Sequence, residues 1–79
     1  MSDVFGRKLR AYRKLKHWTQ TELANQVGVS VAIIGSLERG TRVPEKTILQ
    51  RLQRILNVSE EELFGAHIEQ LDFGREEAD

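Results

Sequence analysis

The stretch from Trp18 to Gly40, WTQTELANQVGVSVAIIGSLERG, limits what this chain can fold into more than any other. It reads as two short helices joined by a tight turn. Thr19 can cap the first helix with its hydroxyl. Glu22, three residues on, can return its carboxylate to the Thr19 amide, which completes a capping box. Trp18 before the cap and Leu23 after it form a hydrophobic staple that fixes how the chain enters the helix. Leu23, Ala24 and Val27 share one face at helical spacing. Gly28 supplies the left-handed residue that ends the helix, and Val29 turns into the core. Ser30 caps a second helix, Val31 to Arg39, which Gly40 closes. Ile34 and Leu37, three apart, face inward. Val31, Ala32, Gly35, Ser36 and Arg39 are then expected on the outside.

Two capped helices around a glycine turn are the arrangement that lays a second helix in a DNA major groove. The rest of the chain is consistent with an all-α domain built around that pair. At 79 residues there is room for one small helical core. No cysteine is present, so stability must come from packing and caps. No apolar run reaches membrane-spanning length. MSDVFGRKLR has no apolar signal region, so a cytoplasmic protein is expected.

The net charge of zero hides a division. Residues 1–58 hold eleven basic and four acidic residues, a net +7, whereas residues 59–79 hold one and eight, a net −7. A basic body points to a polyanionic partner. No metal-ligand cluster, phosphate-cradling glycine loop or nucleophile with its base is evident, so neither an enzyme nor a cofactor is expected.

Taken in order, Val4 to about Lys16 reads as a first helix. Phe5, Leu9, Tyr12 and Leu15 or Lys16 form its apolar stripe, and Arg7, Lys8, Arg10, Lys14 and Lys16 its charged face. Glu45 to Leu56 is a fourth helix with Ile48, Leu52, Ile55 and Leu56 inside and Arg51 and Arg54 outside. Pro44 suits its start. Asn57 fits a left-handed helix end. Ser59 and Glu62 then repeat the capping box, with Val58 and Leu63 as staple, and Gly65 ends this fifth helix. Residues 1–65 are therefore one domain. Residues 66–79 form an acidic, partly disordered tail in which Ile68, Leu71 and Phe73 are apolar.

The run TQTELANQVGVS, followed by IxxLERG and a single proline, resembles the phage-repressor and Cro family of helix-turn-helix proteins, the xenobiotic-response-element family. The likeness extends from about Phe5 to Gly65. It implies a five-helix, lambda-repressor-like fold. It implies that Arg13 pairs with Glu38 and ties the first helix to the third. It also implies backbone contacts to DNA from the loop and helix start after Gly40, here Thr41, Arg42 and Lys46. Dimers of the family form around the fourth and fifth helices, which points to Val58 and Phe64.

Further contacts follow from the residues. Gln20 sits at the first turn of a helix, where its amide and the backbone N–H groups suit a phosphate oxygen. Ser30 and Arg39, at the two ends of the third helix, can also reach phosphates. Base readers are usually Arg, Lys, Asn, Gln or Ser. Here the leading outward positions are Val31 and Ala32, which can touch thymine methyl groups, and Ser36 is the one short polar reader in mid-helix. Readout this apolar is expected to be modest in strength or to lean on DNA shape. The expected function is a transcriptional regulator, a repressor, that binds double-stranded DNA as a homodimer. The competing expectation is an adaptor, anti-repressor or antitoxin-like module that offers the same aliphatic face to a protein.

Overall fold

A computed structural model of the chain describes residues 2–65. Among these residues the fold is all-helical: α1 (Ser2–Leu15), α2 (Gln20–Val27), α3 (Val31–Arg39), α4 (Lys46–Leu56) and α5 (Glu60–Phe64). α1 packs on α3 and α5, α2 on α3 and α4, and α4 on α5. One core joins them: Phe5 and Leu9 of α1, Leu23, Ala24 and Val27 of α2, Ile34 and Leu37 of α3, Ile48, Leu52 and Leu56 of α4, and Leu63 of α5. Tyr12, Trp18, Val29, Ile33, Leu49, Ile55 and Val58 pack against its rim. No described helix is long and apolar enough to cross a membrane.

Each helix ends on a left-handed residue: His17, Gly28, Gly40, Asn57 and Gly65, with φ of 62°, 85°, 81°, 59° and 81°. After α1, the His17 N–H donates to the Lys14 carbonyl (2.9 Å) and the Trp18 N–H to that of Arg13 (3.3 Å). That is the Schellman pattern, and it satisfies carbonyls the helix leaves unpaired. The Val29 N–H donates to the Ala24 carbonyl and the Val58 N–H to that of Gln53, both at 3.0 Å, by the same rule. Both capping boxes are closed. Thr19 Oγ1 accepts from the Glu22 N–H at 3.0 Å while Glu22 accepts from the Thr19 N–H at 2.8 Å. In the Ser59 box the matching distances are 3.0 and 2.7 Å.

Several expectations are corrected. α1 begins at Ser2 rather than Val4, and α4 at Lys46, with Glu45 as a cap that makes no side-chain bond. Pro44 therefore stands two residues before α4. Leu15 does not join the apolar stripe: it is 71% exposed, because the helix ends at this residue and turns away from the core. Lys8 is not on the solvent face but buried, and that burial, with the nearby Arg7 charge, pushes its pKa below the usual lysine value. Arg51 is exposed, yet its Nη1 donates to the Val27 carbonyl at 3.2 Å. A cation at the C-terminal end of α2 is favoured by the helix dipole, so Arg51 ties α4 to α2. The expectations about Ile68, Leu71, Phe73 and a disordered tail lie outside the described residues.

Candidate nucleic-acid interface

The outer side of α3 can serve as a reading surface only if its inner side is held firmly. One carboxylate does much of that holding. Glu38 accepts from Arg13 Nε at 2.7 Å, from Arg13 Nη2 at 3.2 Å and from Gln20 Nε2 at 3.0 Å. Arg13 is on α1 and Gln20 opens α2, so three helices meet at one side chain. Arg13 Nη1 also donates to the Trp18 carbonyl at 2.8 Å, which ties in the turn before α2. The pair is withdrawn from water, with side-chain exposures of 10% for Arg13 and 4% for Glu38. A two-pronged guanidinium–carboxylate pair fixes orientation as well as distance.

Gly6 adds a second hold that the sequence reading missed. It lies mid-helix in α1, where glycine is a poor choice. A Cβ there would fall 2.7 Å from the Leu37 carbonyl oxygen and closer still to that of Glu38. Glycine lets the α1 backbone rest directly on the last turn of α3. A glycine inside an amphipathic helix pattern is the signal that could have found it.

On the outer side, Val31 is 43% exposed, and Ala32 is exposed beside it. Ser30 Oγ accepts from the Ile33 N–H at 3.3 Å, so its own proton stays free to donate. Ser36 is half-buried and its hydroxyl donates to the Ile33 carbonyl at 2.8 Å. It can therefore meet a base edge only as an acceptor. The Thr41 N–H and hydroxyl both donate to the Ser36 carbonyl, at 3.0 and 3.2 Å. Its two donors close the end of α3 rather than point to a phosphate. Gln20 keeps one amide N–H and its carbonyl oxygen after bonding Glu38. Arg39, Arg42 and Lys46 are exposed. Gly35, expected outside, is buried under the side chains of Arg39 and Gln20.

Val58 is half-buried against the core. Phe64, the other residue named for the dimer contact, is 42% exposed, with its ring against Phe5 at a centroid distance of 4.9 Å. Among the described residues, no group of three or more His, Asp or Glu side chains could hold a metal ion.

Residues 9–63 match the model of the family described as helix-turn-helix. The chain belongs to the helix-turn-helix family of transcriptional regulators. The helix-turn-helix regulator YazB of Bacillus subtilis is 45% identical over 62 residues, which cover 78% of this chain and 90% of that protein. The regulator SinR of the same organism is 32% identical over 57 residues, 71% of this chain and 51% of its own length. Among solved structures, the restriction-modification controller protein C.AhdI from Aeromonas hydrophila superposes with a TM-score of 0.75 at 32% identity, covering 80% of this chain and 96% of that one. In helix-turn-helix terms, α2 and α3 are the motif and α3 its recognition helix.

Proposed function

We propose that this helix-turn-helix protein is a repressor that lays α3 in the major groove of double-stranded DNA and acts as a homodimer in the cytoplasm, with residues 1–65 as the DNA-binding domain. One observation carries the reading. α3 is fixed from behind at Glu38 by two other helices, while its first turn stands exposed, with Arg39 as its last residue and Arg42 and Lys46 beyond its end. Val31 and Ala32 then face thymine methyl groups, and Ser36 accepts from a base N–H. Ser30, Gln20, Arg42 and Lys46 supply donors or charge to phosphates. Repression needs only occupancy of a site, which such a domain can provide. One recognition helix covers too little DNA for high specificity, so two copies are expected to read two half-sites. The exposed face of Phe64 supports a dimer contact at α4–α5.

A salt titration of binding to duplex DNA tests this. Affinity should fall steeply with salt, and Arg42→Ala and Lys46→Ala should each lower the log–log slope by about 1. Val31 and Val43, exposed at 43% and 75%, favour the second reading, an aliphatic face for a protein partner. Absent or salt-insensitive duplex binding would overturn the first reading and favour that alternative.

A further inference from the structure

The outer side of α3 is short of polar readers: Val31 and Ala32 are aliphatic, and the Ser36 proton is already used. Residues 31, 35 and 39 lie four apart and so form one stripe along α3. Gly35, in the middle of that stripe, is nonetheless buried. A Cβ built on it would lie 3.1 Å from Arg39 Nη1 and 3.9 Å from both Oε1 and Nε2 of Gln20. Side chains on a helix lean toward its N-terminus, so the Arg39 side chain folds back over the preceding turn. Gly35 is the gap in which its guanidinium rests. The Gln20 amide also borders that gap, its orientation set by the bond to Glu38.

This placement carries the guanidinium one turn toward the N-terminal half of α3, the part of a recognition helix that meets base edges. A guanidinium held in the groove presents paired N–H donors that match O6 and N7 of guanine. We infer that Arg39 reads a guanine edge in the major groove, seated by Gly35 as a positioning residue and flanked by Gln20. The assignment rests on the DNA-binding reading above and gives Arg39 a role beyond anchoring a phosphate. It also accounts for a glycine in mid-helix. Any side chain at 35 starts with a Cβ 3.1 Å from Nη1, so the guanidinium must shift by a few tenths of an ångström from this seat.

The test is selection of bound duplexes from a random pool by the wild type, Gly35→Ala, Arg39→Ala, Arg39→Lys and the Gly35→Ala/Arg39→Ala double variant. Alanine is a better helix former than glycine, so Gly35→Ala should melt no lower than the wild type by circular dichroism. The wild type should enrich a motif with an invariant G·C pair. Both alanine variants should lose about tenfold of their preference at that pair. The double variant should do no worse than Arg39→Ala alone, since Gly35 acts through Arg39. Arg39→Lys should keep the salt slope yet lose the same preference, having charge but no fork. A wild-type motif retained unchanged by Gly35→Ala or by Arg39→Ala overturns the assignment. So does an Arg39→Ala that weakens all duplexes equally. If the wild type enriches no motif, the DNA-binding reading itself fails.

Discussion

The α2–α3 and α4–α5 connections are built to the same local plan. Each has a left-handed residue, a half-buried valine and a capping serine: Gly28, Val29, Ser30 in one, and Asn57, Val58, Ser59 in the other. In each, the valine N–H closes the preceding helix with a 3.0 Å bond. The helices that follow differ in kind. α3 runs nine residues with no acidic residue in its first turn, while α5 runs five and opens on Glu60, Glu61 and Glu62. Carboxylates at a helix start are favoured by the dipole and repel a phosphate. α3 is also fastened by Glu38 to α1 and α2, whereas α5 is held by the buried Leu63 and the Phe64–Phe5 contact. The turn plan is thus shared, and the two pairs differ in the charge at the start of the second helix and in the anchor behind it.

The sharpest way to break this contrast is Glu38→Ala. It leaves the Arg13 guanidinium buried without its carboxylate and frees Gln20. The expected loss is about 3–5 kcal/mol of stability, read by urea unfolding, with duplex binding lost as well. Replacing both partners by apolar residues, Arg13→Met with Glu38→Leu, should restore most of that stability. Gly6→Ala comes next. Better helix propensity cannot offset a Cβ driven into the α3 backbone, and a net loss of about 1–3 kcal/mol is expected in the same assay.

Phe64→Ala probes the other hairpin. Its ring is partly in water, so the expected cost is about 1–2 kcal/mol in the monomer. On the proposed homodimer, sedimentation should show weakened association, and unchanged association would move the proposed subunit contact away from α5. The smallest effects test the caps. Ser59→Ala breaks a reciprocal box and should cost about 1 kcal/mol of thermal stability. Ser30 makes a longer bond with no returning carboxylate, so Ser30→Ala should cost about 0.5 kcal/mol. A reversed order would mean that α3 depends on its cap more than on its anchor.

Much of this was readable in the residues because it depends on neighbours in sequence. Hydroxyl caps three residues before a glutamate, glycines or an asparagine after a helix, and apolar residues at helical spacing each state a local preference. They place the helices within a residue or two at most ends. His17 escaped notice as a helix end because a left-handed histidine has no strong local sign. Leu15 and Lys8 were misplaced because a helical wheel does not show where a helix stops or which neighbour covers its flank.

The sequence alone determined the five helices, most of the inward stripes and, through TQTELANQVGVS and LERG, the family. Tertiary structure alone decided that Gly6 is a contact surface, that Gln20 serves Glu38 and borders Gly35, and that Arg51 closes α2. The physical reason is distance along the chain. A cap or a left-handed turn is settled within about five residues, whereas these contacts join groups brought together only when separate helices pack.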